Sequence, residues 1–348
     1  MKINNKKIGL NFKPFIVAEL SGNHKGSINR ALSIIRAAKN SGADAIKIQT
    51  YTPDDITLNL KTKDFIINNK HGPWNKKKLY DLYVDAHTPL KWHKKIFQYA
   101  KKQKLICFAS VFSEHRVEFL EKLGCPAYKI ASFENNHYPL IEKVLKTKKP
   151  VIVSTGMLRL KEIEDLIRFI KKFRKKNFAI LKCSSAYPSK FEDVNINSIN
   201  YLRKKFKNIE IGFSDHTKGI SASCAAVALG ATIIEKHLIL DNKKTVDSSF
   251  SITPQELKEL VKTSKEIWQS LGKVDFTHGK NEENNKKLKR SIFVIKNIEK
   301  GDYFTKENVG IIRPGHGLKT EYFDKILGKI SNKKLIKGIP FKLEYLKK

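Results

Sequence analysis

Cysteine is scarce in this 348-residue chain: Cys107, Cys125, Cys183 and Cys224 stand far apart and form no CxxC pair. A disulfide framework and a zinc ribbon are therefore not expected. Isolated thiols of this kind suit a reducing cytoplasm, and Cys183, at the end of an expected strand, reads as a small buried hydrophobe or as a residue lining a site. Long apolar runs are missing too. No stretch of about 18 residues is both apolar and uncharged, so no membrane-spanning helix is expected. The opening MKINNKKIGLNFKPFIVAEL has neither the apolar core nor the small-residue cleavage site of a secretory signal. GxGxxG and GxxxxGKS/T are both absent, so neither a dinucleotide site nor a nucleoside-triphosphate site is implied. Acidic residues are the last shortage: 34 against 68 Lys and Arg, a formal net charge of +34. Such a charge attracts phosphate backbones. The lysines are nevertheless spread along the whole chain, KKFRKK at 171–176 included, with no zinc finger, recognition helix or basic–aromatic module. Nonspecific adhesion at low salt is expected; a specific nucleic-acid partner is not, and a noncatalytic nucleic-acid-binding barrel is only a distant alternative.

What the chain has in abundance is alternation. Short, mostly β-branched runs at 15–20, 45–50, 105–110, 127–132, 151–156, 178–183, 209–214 and 232–237 are separated by segments with apolar residues on one helical face. Ser27 is placed to cap the first helix and Gly42 to end it; Thr253, Pro254 and Glu256 form a capping box for the last, which runs to about Leu271. Eight strands alternating with helices predict an α/β fold, a closed parallel (β/α)8 TIM barrel over 1–271. One connection, 51–87, is far longer than a turn requires and is rich in Tyr, Trp, Pro and Asn, which suits an active-site cover. Residues 272–290 have little to bury and read as a linker. From 291 to 348 short apolar pieces broken by Gly and Pro predict a small, mostly β domain, marginal alone unless it docks elsewhere.

In a parallel barrel the carboxyl ends of the strands build the site. Read in turn, those ends carry Glu19, Lys47 with Gln49, Ser110, Ser132 with Glu134, Ser154 with Thr155, Ser184 with Ser185 and Tyr187, Ser214 with Asp215 and His216, and Glu235 with His237. Lysine, several hydroxyls and glycine-containing turns suit a phosphorylated substrate. Lys47 has a second reading as a salt-bridge partner of Glu19 or Glu134, and Ser132 and Ser154 as strand-end caps. His216 and His237, with a carboxylate or waters, can hold an intermediate divalent ion that polarises a carbonyl or acidifies water. His24 and His87 are loop residues near the opening, open to structural or ligand-contacting readings.

The motifs AELSGNHKGS (18–27), GADAIKIQT (42–50), YKIASFE (128–134), STGM (154–157), KCSSAYP (182–188), IGFSDHT (211–217) and IEKH (234–237), with IRPGHGL in the tail, follow one another in a fixed order. In them the chain resembles the sialic acid synthase family, which condenses phosphoenolpyruvate with amino sugars to nine-carbon keto acids. ELSGNH, IKIQTYTPD and KIASFE resemble the branch that makes pseudaminic acid; Ser185 in KCSSAYP departs from the Asn of the sialic acid form. Sialic or legionaminic acid synthesis is the alternative.

The resemblance implies that His216 and His237 hold a divalent metal, Mn²⁺ or Mg²⁺, with Glu19 the acidic group beside it. It implies phosphoenolpyruvate contacts from Lys47, Ser132, Ser154, Ser185 and Ser214, with Ser110 a weaker addition. Gln49, Glu134, Tyr187 and Asp247 correspond to positions around the acceptor, a diacetamido-trideoxy sugar. Asp247 has a competing reading as the cap of the SSF turn, and Tyr187 as packing alone. Glu19 or Glu134 is the candidate for proton transfer. The tail resembles the antifreeze-like (SAF) domain of these synthases, which implies a domain-swapped homodimer. Arg313 then reaches the sugar bound in the partner subunit, against a plain surface reading. The product would serve a surface polysaccharide or flagellin glycan.

Overall fold

A computed structural model of the protein describes residues 1–69, 72–173, 177–241, 243–277 and 279–347. Of the basic run KKFRKK, residues 174–176 lie outside the described residues, as does His278 in the expected linker. The chain divides into two compact units, residues 1–272 and 273–348.

The first unit is a closed eight-stranded parallel barrel. Its strands are β1 (Phe15–Glu19), β2 (Ala45–Thr50), β3 (Ile106–Val111), β4 (Tyr128–Ile130), β5 (Val151–Ser154), β6 (Phe178–Cys183), β7 (Glu210–Asp215) and β8 (Ile233–His237). Each pairs with the next, and β8 closes on β1 with His237 opposite Glu19. A two-stranded hairpin of Lys2–Ile3 and Lys6–Lys7 precedes the barrel.

The flanking helices are α1 (Ile28–Asn40), α2 (Leu79–Ala86), α3 (Leu90–Lys102), α4 (Glu114–Lys122), α5 (Tyr138–Lys146), α6 (Leu160–Lys172), α7 (Asn197–Lys205), α8 (Ser221–Ala228) and α9 (Pro254–Leu271). α6 shows why they form: Ile163, Leu166, Ile167 and Ile170 recur three and four residues apart and bury one face against the barrel, while lysines and acids fill the other. The expected caps are present. Ser27 Oγ accepts from Arg30 N at 3.3 Å, and Thr253 and Glu256 cap each other's backbone ahead of α9. Gly212 is the close approach between β6, β7 and β8, where a Cβ would sit 2.5 Å from the Ile233 carbonyl oxygen.

Two connections differ from expectation. The long excursion after β2 contains α2, and its middle folds back on itself, with Ile67 N donating to Lys77 O at 2.9 Å and Lys76 N to Ile67 O at 2.8 Å. The stretch expected as linker holds a short helix, α10 (Lys280–Asn285), and one 3₁₀ turn.

The second unit pairs β9 (Ser291–Val294) antiparallel with β10 (Val309–Ile312) and extends the pairing through isolated bridges such as Ile298–Leu335. Ile292, Val294, Phe304, Val309, Leu335 and Phe341 form its small core, Phe304 and Phe341 meeting edge to face. Among the described residues no helix is long and apolar enough to cross a membrane.

Candidate active site

Along each barrel strand alternate side chains point inward. Their inward positions at the carboxyl end place four charged groups together. Lys47 Nζ lies 2.6 Å from Glu19 Oε2 and 3.6 Å from Glu235 Oε1, and Lys129 Nζ lies 3.5 Å from the same Glu235 oxygen. Ser214 Oγ donates to Glu235 Oε1 at 3.0 Å, and Lys47 Nζ donates to Ser110 Oγ at 2.9 Å. All four charged groups are buried. Of the two readings of Lys47 as a salt bridge, the geometry realises Glu19, with Glu235 as the second carboxylate. Burial works against the Lys47 ammonium, but Glu19 and Glu235 outweigh it and hold its pKa above the ordinary lysine value. Lys47 is therefore a fixed positive charge, unsuited to act as a nucleophilic amine.

Above this cluster opens a cavity of about 550 Å³. Lys47, Gln49, Ser110, Lys129, Ser132, Glu134, Ser154, Ser185, Tyr187, Ser214, His216, Glu235, His237 and Asp247 all line it. Glu19 lies just beneath, fully buried against Lys47. Arg313 is exposed and belongs to the second unit. Lys129 is the residue that sequence reasoning missed. Its signal is the same as for Lys47, a lysine inside an otherwise apolar strand, YKI.

Hydroxyls cluster on one side of the cavity. Ser132 Oγ accepts from Gly156 N at 3.2 Å, whereas Ser154 Oγ and Ser185 Oγ are buried without a partner. Gly156 has to be glycine here, because a Cβ would run into the hydroxyls of both Ser132 and Ser185. Two ammonium groups, each beside a carboxylate, and several hydroxyls thus face one space.

The two candidate metal ligands come together, His216 and His237 having ring centroids 5.3 Å apart. His216 Nδ1 donates to the Ser184 carbonyl oxygen at 2.9 Å and lies 3.8 Å from Cys183 Sγ; burial works against its charge, but Cys183 outweighs burial and holds its pKa above the ordinary imidazole value. His237 Nδ1 is buried without a hydrogen-bond partner, 3.8 Å from Asp247 Oδ2. Burial, reinforced by His216 and Lys47, holds His237 well below the ordinary imidazole pKa, so its ring is neutral. Among the described residues no group of three or more His, Cys, Asp or Glu side chains forms a complete cation site. Two imidazoles side by side next to open space fit an intermediate divalent ion whose other positions go to water and substrate oxygens.

Asp215, expected at the same face, is turned the other way. It follows Ser214 by one residue and so points outward, where its Oδ2 pairs with Lys236 Nζ at 3.0 Å, both side chains being 0% exposed. The backbone N and Oγ1 of Thr217 donate to Oδ1 at 2.8 Å each, and Ser223 Oγ donates to Oδ2 at 2.6 Å. His24 is also structural: its Nδ1 accepts from Gly26 N at 3.1 Å and its ring meets Trp92 edge-on. His87 Nδ1 faces Val84 O at 2.8 Å, and neither histidine lines the cavity.

Among the residues expected around the acceptor, Gln49 Nε2 donates to Ser21 Oγ at 3.0 Å, and Ser21 Oγ donates in turn to Asp247. Asp247 precedes the SSF turn, but its carboxylate accepts from Ser21 and from Gly22 N rather than capping that turn. Tyr187 packs between Trp74, His216 and Phe250, at centroid distances of 5.4, 4.5 and 5.2 Å. Burial pushes Glu134 up to about 7, with Lys129 opposing, and pushes Glu19 up to about 7 against the pull of Lys47. Carboxyls in that range can hold or release a proton near neutrality.

Residues 34–276 match the model of the NeuB family, and residues 289–346 that of the SAF domain. The chain is 44% identical over 322 residues to the pseudaminic acid synthase of Campylobacter jejuni, covering 92% of this chain and 93% of that one. To the pseudaminic acid synthase of Helicobacter pylori it is 43% identical over 329 residues, 94% of this chain and 96% of that one. Among solved structures, the N-acetylneuraminic acid synthetase of Leptospira borgpetersenii superposes with a TM-score of 0.73 at 31% identity, over 82% of this chain and 94% of its own.

Proposed function

The chain belongs to the NeuB family, and from that premise we propose that it is a pseudaminic acid synthase. It joins phosphoenolpyruvate to 2,4-diacetamido-2,4,6-trideoxy-L-altrose and water, giving pseudaminic acid and phosphate. The observation that carries this reading is the 44% identity to a pseudaminic acid synthase across 92% of the chain. The cavity supports it, with two ammonium groups, several hydroxyls and a pair of imidazoles in one space.

Lys47 and Lys129 bind the phosphate and carboxylate of the donor, with Ser132, Ser154, Ser185 and Ser214 supplying directional hydrogen bonds and Ser110 holding Lys47. Gln49, Tyr187 and Asp247 orient the open-chain sugar so that its aldehyde carbon faces C3 of the donor. Enzymes of this family typically use a divalent metal. In this chain His216 and His237 would hold it, manganese or magnesium, and when bound it supplies Lewis-acid polarisation of the aldehyde oxygen. A C–C bond forms between C3 and the aldehyde carbon, water adds at C2, and the C2–O bond to phosphate breaks. Glu134 faces the cavity and Glu19 lies under it. Glu134 takes the proton from the attacking water and returns it to the oxygen that was the aldehyde's.

The second unit, by this reading, serves the partner copy of a cytoplasmic homodimer, Arg313 contacting the acceptor there. Arg313→Ala then raises KM for the sugar about tenfold while leaving KM for phosphoenolpyruvate within about twofold, a loss of one hydrogen-bonded charge. Equal losses for both substrates, with assembly intact, would remove that role.

The test of the whole reading is phosphate release with a panel of acceptors, product mass, and configuration by NMR. Release should require donor, divalent ion and the diacetamido-trideoxy sugar together. Folded, metal-loaded protein that uses only the sialic or legionaminic precursor, or none, would overturn it.

A further inference from the structure

The cavity has two unlike halves, and the proposed reaction uses only one of them. Its floor is charged and hydroxyl-rich. A further part of the lining comes from the single excursion between β2 and α3, which contributes Ile56, Ile67, Trp74, Leu79, Leu82 and Tyr83 together with one amide, Asn69. A donor carrying phosphate and carboxylate belongs with the ammonium groups. The space left beside the excursion is therefore the acceptor's: Gln49 and Asp247 meet its polar groups, and the excursion's share is hydrocarbon apart from Asn69 and the hydroxyl of Tyr83.

We propose that this apolar wall selects the acceptor by its methyl groups, favouring a 6-deoxy, diacetamido sugar over one with a hydroxymethyl or longer hydroxylated end. The inference rests on the synthase reading and goes further, by naming the residues that separate one amino-sugar acceptor from another. A methyl group laid against Ile67 and Leu79 leaves water without loss, whereas a hydroxyl there gives up hydration and finds no partner on an aliphatic surface. The acceptor proposed here carries three methyl groups, two on its acetamides and one at C6.

The wall is anchored rather than free to retreat. Trp74 Nε1 donates to Val246 O at 3.0 Å, and its ring meets Tyr187 and Phe250 from the connections after β6 and β8. Tyr83 meets Tyr51 edge to face at 5.8 Å. At the foot of α2 the backbone comes so close to the loop after β1 that a Cβ on Gly22 would lie 3.1 Å from Ala86 Cα. A surface fixed in this way discriminates by what it cannot hydrogen-bond. An apolar pocket rejects an added hydroxyl only to a limited degree, so the expected preference is about 10- to 100-fold.

The experiment compares 2,4-diacetamido-2,4,6-trideoxy-L-altrose with its 6-hydroxy counterpart, by calorimetric binding to the full-length metal-loaded protein without donor and by turnover with donor. Wild-type protein should bind the 6-deoxy sugar about 10- to 100-fold more tightly. Ile67→Ser and Leu79→Ser, both at half-buried positions, should bring that ratio towards one and leave KM for phosphoenolpyruvate unchanged. Ile67→Val should keep the preference. Equal binding of the two sugars by the wild type, or a ratio that survives both serine substitutions, overturns the wall's role whatever the turnover shows. Turnover decides the synthase reading separately: tight, selective binding with no phosphate release would leave the wall standing and remove the reaction.

Discussion

Two buried lysine–carboxylate clusters sit back to back across β7 and β8, and they are finished differently. On the outer face, Asp215 and Lys236 close on each other, and Thr217 and Ser223 fill the remaining acceptor positions of the carboxylate. On the inner face Glu235, one residue before Lys236, meets Lys47, Lys129 and Glu19 from β2, β4 and β1, and the four balance in charge but not in hydrogen bonds. Glu19 Oε1, Glu235 Oε2, Ser154 Oγ and Ser185 Oγ stay buried without partners. A buried polar group without a partner is costly, and it persists where a ligand is to complete it. The filled cluster holds strands together; the open one is arranged for what enters the cavity.

The sharpest way to break this contrast is to remove one lysine from each side. Lys236→Met strips Asp215 of its cation and the Thr217 carbonyl oxygen of a donor, so unfolding free energy should fall by about 3–5 kcal/mol in a denaturant titration. Activity per folded molecule should change far less. Lys129→Met removes an ammonium that stands 3.5 Å from its carboxylate, a looser pairing. It should lower kcat/KM for phosphoenolpyruvate about 10²- to 10³-fold, as loss of a charge-stabilising group in a dry site does, with a stability change well below that of Lys236→Met. If the two variants exchange phenotypes, the division between filled and open clusters is wrong.

Next in size is a pH effect from Glu134, whose Oε2 is also buried without a partner. Burial first, opposed by Lys129, raises its pKa from 4.5 to about 7 in the folded state. Between those values the unfolded chain has released the proton while the folded chain retains it, so the unfolded state binds fewer protons and stability falls as pH rises through the window. Glu134→Gln abolishes that fall and should be more stable than wild type at pH 8, by about 1–3 kcal/mol, with little difference at pH 4. Denaturation midpoints at the two pH values measure it; a wild-type advantage at pH 8 would show that the carboxylate is stabilised rather than strained.

The same inside–outside alternation explains what can be read from the chain alone. The barrel is legible because short, mostly apolar and β-branched runs alternate eight times with segments that carry apolar residues on one helical face. The polar strand ends are legible as a set, but not the side each faces. Asp215 looks like a partner of His216, yet neighbours along a strand point to opposite faces. Lys129 carries the same signal as Lys47, but YKI reads equally well as packing. α2 is hard to read because LYDLYVDA has no N-capping side chain, Lys78 preceding it, and mixes aromatic and β-branched residues. KNEENN in α10 has no apolar face at all, which is why it reads as linker.

The smallest expected effect separates two serines of the proposed donor site. Ser214 Oγ gives its proton to Glu235 Oε1 at 3.0 Å, while Ser154 Oγ is buried with no partner. Ser154→Ala removes a hydroxyl that contributes nothing to the fold and should leave the denaturation midpoint unchanged or slightly raised. Because that hydroxyl is the one free to meet the donor's anionic oxygens, donor binding should weaken about tenfold, the worth of one hydrogen bond to a charged group. Ser214→Ala takes a donor from a buried carboxylate, so it should lower stability by about 1–2 kcal/mol and weaken donor binding less, since its hydroxyl must first leave Glu235. Calorimetric titration with phosphoenolpyruvate and denaturant melts of both variants decide the matter. Should Ser154→Ala prove the more destabilising of the two, an unpartnered buried hydroxyl would no longer mark where the ligand binds, and the inner cluster would have to be read as structural like the outer one.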